Sequence, residues 1–112
     1  MRNNKPLFSI ILPIRNEEKK ISLVLDSIIS QTGYLDKIEI IICDGLSTDS
    51  TYDIINKYKK EYSFIYVIDN PNKIVSSGFN LGLNQAIGNF IVRIDGHCEI
   101  PPNYLEYCLE LF

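Results

Sequence analysis

The residues best suited to chemistry stand together in the tripeptide Asp95-Gly96-His97, which contains the chain's only histidine. A carboxylate and an imidazole two residues apart can point to one side of a turn, and the glycine between them frees the backbone to bring them together. Mixed oxygen and nitrogen ligation suits a first-row divalent ion, so Mn²⁺ is the natural metal for Asp95 and His97, with Mg²⁺ as the alternative. The competing interpretation is an ordinary turn in which the aspartate bonds its own backbone.

A second acid, Asp44, ends an isoleucine-rich stretch and is followed by Gly45. An acid at the end of the second strand of a βαβ unit is well placed to hydrogen-bond a ribose or a base edge. The alternative is an Asp-Gly turn followed by a helix cap. We favour a binding role for Asp44 and a structural role for the Ser47, Thr48 and Asp49 that follow it.

The sequence PIRNEE, residues 13–18, lies in the first turn from a strand to a helix. Dinucleotide-binding folds carry a glycine-rich loop there, but this turn has no glycine, and G-x-G-x-x-G occurs nowhere in the chain. A dinucleotide-binding or flavodoxin-like redox domain is therefore disfavoured. Arg15 would face an anionic or planar ligand, Asn16 would cap the helix, and Lys73 is a further candidate for an anion contact.

Two glycines, Gly78 and Gly82, stand four residues apart in a predicted helix and so share one face. The pair would permit either close packing of the helix on a strand or close approach of a ligand, and both interpretations stay open. A zinc site built from the four possible ligands Cys43, His97, Cys98 and Cys108 is disfavoured, because no C-x-x-C or H-x-x-x-H spacing exists. Cys43 and Cys108 instead fit small core residues.

The elements that would position these residues alternate between strand and helix, which predicts an α/β fold with a parallel sheet and helices on both faces. Strands are predicted at 8–12, 37–44, 64–69 and 89–95, and helices at 17–31, 47–62, 76–88 and from Pro102 onward. The first strand is expected to stop at Pro13, and the third helix to end at Gly88. The predicted apolar helix faces comprise Ile21, Val24, Leu25, Ile28 and Ile29; Ile54, Ile55 and Tyr58; Phe79, Leu83, Ala86 and Ile87; and Leu105, Cys108, Leu109 and Phe112. Because parallel strands end at one edge of a sheet, the acids and the histidine should converge there.

Composition excludes several classes of protein. The net charge of −3 gives no reason to expect a nucleic-acid-binding protein, although 46% hydrophobic residues suffice for a real core. Three cysteines without a disulfide pattern favour a reducing, cytoplasmic setting. The polar N-terminus does not fit a signal peptide, and no apolar run approaches the roughly 20 residues of a membrane span.

Three linked stretches, FSIILPIRNEEKKISLVLDSIISQ, IEIIICDGLSTDST and GFNLGLNQAIGNFIVRIDGH, together resemble the nucleotide-binding half of family-2 glycosyltransferases of the GT-A fold. The Asp-Gly-His variant, with RNEE and DGLSTDST, looks most like the succinoglycan-biosynthesis type. The resemblance covers nearly the whole chain and implies a Rossmann-like sheet with strand order 3-2-1-4.

The resemblance also assigns the site residues. Pro13, Arg15 and Glu17 match the family's first loop, which contacts the base and ribose, and Asp44 matches the acid that binds uracil. Asp95 opens the family's D-x-D motif, which holds the divalent ion on the donor diphosphate. His97 replaces the last aspartate of that motif, and a neutral imidazole supplies less charge, so the metal should bind more weakly or in a more pH-dependent way.

The function implied is inverting, metal-assisted transfer from a UDP-sugar to a surface polysaccharide or exopolysaccharide, with a glycan or lipid-linked glycan as acceptor. The family's general base lies downstream of the D-x-D region, so no catalytic residue is expected within residues 1–112. The chain is thus expected to be a truncated, donor-binding half without the acceptor half. It would work in the cytoplasm, at the inner face of the membrane in the full protein. The alternative is a non-catalytic nucleotide-binding module with a GT-A-like fold.

Overall fold

The predicted alternation of strands and helices is present in the computed structural model, which describes residues 5–111. Its elements are β1 (Phe8–Ile14), α1 (Ile21–Ile29), a short 3₁₀ helix (Leu35–Lys37), β2 (Ile38–Asp44), α2 (Thr51–Glu61), β3 (Ile65–Asp69), α3 (Val75–Gln85), β4 (Phe90–Arg93) and α4 (Tyr104–Leu111). The radius of gyration of 13.0 Å is close to the ~13 Å typical of a folded domain of about 100 residues. No helix within residues 5–111 combines the length and the apolar character that crossing a membrane requires.

The four strands form one parallel sheet in the order β3-β2-β1-β4, which confirms the predicted fold. The register places Ile14, Asp44 and Asp69 level with one another at the carboxyl ends of β1, β2 and β3. The order of the strands reverses between β1 and β4, so the crevice at which such sheets bind ligands lies beside Ile14.

The sheet carries helices on both faces, as the alternation predicted. The larger core joins the even-numbered residues of β1 to α1, α2 and α4 and includes Phe8, Ile10, Leu12, Leu25, Ile28, Ile55 and Leu105. The smaller core, on the opposite face, joins Ile11, Ile41 and Cys43 to Phe79 and Leu81 of α3 and to Ala86, which follows that helix. The predicted stripe of α1 is confirmed, because Ile21, Val24, Leu25 and Ile28 are buried and Ile29 packs against them.

β1 continues through Pro13 to Ile14, so the prediction that proline stops this strand was wrong. Pro13 pairs in register with Cys43 of β2. β4 pairs with β1 only between Phe8 and Ile11. The Ile11 carbonyl accepts from Ile94 N and so faces β4. Residues two apart on a strand face the same neighbour, so the Pro13 nitrogen also faces the β4 side, but it lies beyond the last paired residue. The missing N–H therefore breaks no ladder bond.

The predicted apolar face of α3 was wrong in half of its members. Leu83 and Ile87 are exposed, whereas Gly78 and Gly82 are buried against the sheet. A Cβ at Gly82 would lie 2.5 Å from Ile11 Cγ2. Close packing of helix on strand, one of the two interpretations of this glycine pair, is therefore the observed one.

Several element boundaries also differ from the prediction. α1 begins at Ile21 rather than at residue 17, and α2 begins at Thr51 rather than at 47, because the polar residues before them bond the neighbouring loop. α4 begins at Tyr104, two residues after Pro102. α3 ends at Gln85; Gly88 serves instead to let the chain approach β1, since a Cβ there would lie 2.7 Å from the Ser9 backbone nitrogen. The predicted core role of Phe112 falls outside the described residues.

Candidate functional site

The loops that follow β1 and β2 are joined by hydrogen bonds, and together they form a rim at the carboxyl edge of the sheet. The backbone nitrogen of Asn16 donates to Ser47 Oγ at 2.9 Å, and that of Glu17 donates to Thr51 Oγ1 at 2.8 Å. In the other direction, Thr48 N donates to Asn16 Oδ1 at 2.8 Å. These bonds give Ser47 and Thr48 the structural role expected of them and fix the two loops relative to each other.

The prediction that Asn16 caps α1 was wrong. The first turn of α1 follows Lys20, and no side chain caps it. Asn16 adopts a left-handed backbone with φ of 55°, a conformation that asparagine tolerates better than most residues. Its side chain reaches across to the loop before α2, so it joins two loops instead of starting its own helix.

Asp44 lies at the end of β2 with only 2% of its surface exposed. Its carboxylate accepts a bond of 2.5 Å from Ser47 Oγ and another of 3.3 Å from Ser47 N. This is the turn geometry that had been weighed against a binding role. Contact between Asp44 and a ligand therefore requires a rearrangement of the rim.

The two basic residues considered as anion contacts, Arg15 and Lys73, both lie next to Gly45. A Cβ at Gly45 would lie 3.3 Å from Arg15 Cβ and 3.2 Å from Lys73 Cα. Arg15 Nε donates to the Gly45 carbonyl at 2.9 Å, while Lys73 is exposed and has a left-handed backbone with φ of 64°. The loops that follow β1 and β3 thus come together at Gly45, and each of them carries one basic residue.

Asp95, Gly96 and His97 form a turn beyond β4, on the other side of Ile14. The turn packs tightly, since a Cβ at Gly96 would lie 2.5 Å from Ile14 Cγ2 and 3.1 Å from Glu17 Cγ. Gly96 is therefore needed for close approach. His97 Nδ1 lies 3.0 Å from Glu17 Oε2, so the first loop holds the imidazole in place.

The residues present fit a divalent cation. One ligand atom each from Asp95, His97 and Cys98 lie within 4.8 Å of one another. Asp95 Oδ1 also lies 3.4 Å from Arg93 Nη2, a long contact between half-exposed groups that a cation would have to displace. Asp95 and His97 are thus brought together as predicted, and Cys98 joins them.

The segment that follows this turn is anchored to α1. Ile100 N donates to Ser27 Oγ at 3.1 Å. Gln31, only 3% exposed, donates through Nε2 to the Pro101 carbonyl at 2.7 Å and accepts from Leu105 N at 3.0 Å. These bonds fix the second half of the loop between β4 and α4, and so they limit how far the Asp95–Cys98 turn can move.

Pro13, a predicted nucleotide contact, is buried within β1. A Cβ at Gly78 of α3 would lie 3.2 Å from Pro13 Cβ, so the proline ring supports the helix. Cys43 is buried as predicted, and burial raises the pKa of its thiol to about 11, which makes it an unreactive core residue.

Sequence reasoning missed three features of the rim. The contact between Glu17 and His97 joins residues 80 positions apart, and no local pattern announces it. Cys98 was judged only as part of a four-ligand zinc set, although its place beside His97 was a usable signal. Asn70 is buried and holds the start of α3 by accepting from Ser77 Oγ at 3.0 Å and donating to the Ile74 carbonyl at 2.8 Å.

The fold is an α/β domain with a cluster of polar residues at the carboxyl edge of its parallel sheet, and comparison with known proteins identifies its family. The model of glycosyl transferase family 2 matches residues 9–112, so the chain belongs to that family. It is 41% identical over 91 residues to a poly(ribitol-phosphate) beta-glucosyltransferase of Bacillus spizizenii, a match that covers 78% of this chain and 14% of the relative.

Two further comparisons agree. The chain is 33% identical over 106 residues to the dolichyl N-acetyl-alpha-D-glucosaminyl phosphate 3-beta-D-2,3-diacetamido-2,3-dideoxy-beta-D-glucuronosyltransferase of Methanococcus voltae, covering 93% of this chain and 33% of that protein. The crystal structure of S. aureus TarS 1-349 in complex with UDP-GlcNAc matches with a TM-score of 0.77 and 27% identity, over 92% of this chain and 30% of that one. The GT-A fold is thereby confirmed, and the chain spans about a third or less of these proteins' lengths.

Proposed function

We propose that the chain is the donor-binding half of an inverting glycosyltransferase that transfers a sugar from a UDP-sugar to a growing surface polysaccharide or exopolysaccharide. The observation that carries the proposal is the junction of Asp95, His97 and Glu17 beside the end of β1, at the point where the strand order reverses. A sheet of this kind binds its ligand at that crevice. The family membership supplies the class of reaction.

The charges on the two sides of Ile14 suit a nucleoside diphosphate. Arg15 and Lys73 stand on the β2 side and can meet phosphate oxygens or a planar base. Asp95 and His97 stand on the β4 side, where the Asp95 carboxylate by itself would repel phosphate. A divalent cation held there would neutralise both partners and stabilise the charge that develops on the leaving diphosphate.

The ion proposed for Asp95 and His97 is Mn²⁺ or Mg²⁺, because both accept carboxylate oxygen and Mn²⁺ also accepts imidazole. Glu17 would act as a positioning residue, since its bond to Nδ1 leaves the other ring nitrogen of His97 to face the metal. We also propose that Asp44 contacts the base or the ribose. Because Asp44 is buried, this contact would form when the rim opens around the ligand.

UDP is the proposed nucleotide because TarS, which shares 27% identity with this chain, was crystallised with UDP-GlcNAc. The Asp-Gly-His motif supports placement in the succinoglycan type, which stays a proposal based on sequence. The general base and the surface for a glycan or lipid-linked glycan would belong to further residues of the full protein. We therefore expect residues 1–112 to bind donor in the cytoplasm without completing transfer.

Calorimetric titration of UDP and UDP-glucose into the chain, with and without Mn²⁺, tests this proposal. We expect binding that requires Mn²⁺, that disappears in Asp95→Asn and that weakens in His97→Ala. Asp69→Asn is the matched control, because it removes an exposed acid from the same sheet edge at the end of β3 and should bind as the unmodified chain does. Binding that ignores both Mn²⁺ and Asp95→Asn would favour the non-catalytic module instead, and no binding at all would contradict the donor site.

A further inference from the structure

An exposed thiol completes the cluster at the Asp95 turn. The Cys98 backbone nitrogen donates to the Asp95 carbonyl at 3.1 Å, which closes a four-residue turn and brings the two ends of the turn together. Cys98 is exposed, whereas Cys43 is buried and Cys108 is half-buried. Cys98 is thus the most accessible of the three thiols, and it lies beside a carboxylate and an imidazole.

The chemistry of this trio differs from that of an oxygen site. Mn²⁺ and Mg²⁺ prefer carboxylate, carbonyl and water ligands, whereas thiolate selects softer ions such as Zn²⁺. Zinc takes its ligands from cysteine, histidine and aspartate, at about 2.0–2.3 Å, so neighbouring ligand atoms stand roughly 3.3–3.8 Å apart in a tetrahedral site. The three ligand atoms lie within 4.8 Å of one another, and a shift of about an ångström in exposed side chains would close the site.

The surroundings prepare the imidazole for such an ion. Glu17 Oε2 lies 3.0 Å from His97 Nδ1, the arrangement in which a carboxylate holds a ligating histidine and leaves Nε2 to bind metal. The opposing group is Arg93, whose guanidinium contacts Asp95 Oδ1 at 3.4 Å. Both partners of that contact are about half exposed, so solvent weakens it and a bound cation can replace it.

We propose that Asp95, His97 and Cys98 form a three-ligand site for a thiophilic divalent cation, represented by Zn²⁺, with a fourth position open. Because two of these ligands belong to the proposed donor site, zinc bound there would exclude Mn²⁺ or Mg²⁺ and suppress donor binding. The inhibition rests on the proposed function, whereas the zinc site stands without it.

Cobalt absorption tests the site directly, since Co²⁺ occupies zinc sites and gives a thiolate charge-transfer band in the near ultraviolet. We expect this band when Co²⁺ is added to the reduced chain, its loss on addition of Zn²⁺, and its absence in Cys98→Ser. Cys108→Ser is the matched control, because it removes a thiol from α4 and should keep the band. Zn²⁺ affinity, measured by calorimetric titration, should fall at least about tenfold in Cys98→Ser, as even an outer partner of a metal ligand contributes that much.

A missing band in the unmodified chain, or one that persists in Cys98→Ser, would overturn the zinc site. The second measurement repeats the UDP titration in Mn²⁺ with Zn²⁺ added, where we expect weaker UDP binding in the unmodified chain. In Cys98→Ser, the same loss of UDP binding should need at least about ten times more Zn²⁺. A cobalt band without any UDP binding would leave the zinc site standing and refute the donor site. Manganese-dependent UDP binding without a cobalt band would support the donor site and refute the zinc site.

Discussion

At the scale of single residues, local sequence predicted the Asp95 turn but not what surrounds it. An acid, a glycine and a histidine after an apolar run indicate a turn at the end of a strand, and the structure places them there. The contact that fixes His97 comes from Glu17, on a loop that only the fold brings near. In the same region, Ser47 Oγ donates a hydrogen bond to the Asp44 carboxylate. A sequence motif cannot show whether such a carboxylate is bonded within the protein or open to a ligand.

A second residue-scale feature, Tyr58, makes the stability of the fold depend on pH. Burial and the neighbouring Asp26 carboxylate raise the pKa of this tyrosine to about 12, above its usual value of about 10. The hydroxyl donates to Asp26 Oδ1 at 2.6 Å and so joins α2 to α1. Because the proton is held more tightly in the folded state, the contribution of Tyr58 is fully present below about pH 10 and is lost as pH rises towards about 12.

We therefore predict that the urea midpoint of the unmodified chain falls more steeply between about pH 10 and about pH 12 than that of Tyr58→Phe. The substitution should also cost about 1 kcal/mol at neutral pH through the lost hydrogen bond. Tyr107→Phe, which removes an exposed hydroxyl from α4, controls for the loss of a phenol as such. Equal slopes for the unmodified chain and Tyr58→Phe would show that this bond does not couple stability to pH.

At the scale of elements, periodicity predicted the helices that bury large side chains and failed where glycine makes the contact. The stripe of α1 was predicted because isoleucine, valine and leucine recur at helical spacing. α3 instead packs on the sheet through Gly78 and Gly82, which do not contribute to an apolar pattern. The pattern therefore predicted that Leu83 and Ile87 would be buried, whereas both are exposed. The early starts predicted for α1 and α2 have a similar cause, since the bonds that hold those loops run between segments distant in sequence.

The glycine contact of α3 gives a direct prediction. Gly82→Ala should destabilise the fold by about 1–3 kcal/mol, because the new Cβ would lie 2.5 Å from the fully buried Ile11. Helix propensity alone predicts the opposite sign, a gain of about 1 kcal/mol. Asn84→Ala, at an exposed position of the same helix, is the control and should be neutral or slightly stabilising. Urea unfolding that finds Gly82→Ala as stable as the unmodified chain would refute the packing of α3 described above.

At the scale of the whole molecule, the alternation of strands and helices was enough to predict a parallel sheet covered on both faces. The strand order came from the resemblance to a family, since alternation alone allows other orders. In the part of the chain that the structure describes, β3 and β4 are the edges of the sheet, and Ile91 of β4 is 39% exposed. We predict that a sheet edge left uncovered in this way promotes self-association.

The carboxyl end of this sheet, between β1 and β4, is the proposed binding site for a nucleoside diphosphate together with a divalent ion. Its most direct test is the paramagnetic broadening of backbone amide signals by Mn²⁺ in the presence of UDP, recorded on the 112-residue chain. We predict that signals from residues 15–17, 45–47 and 95–98 broaden first, and that Asp95→Asn prevents this. Broadening centred on the opposite end of the sheet, around Phe8, Ile38 and Phe90, would contradict this binding site, and so would broadening that is unchanged in Asp95→Asn.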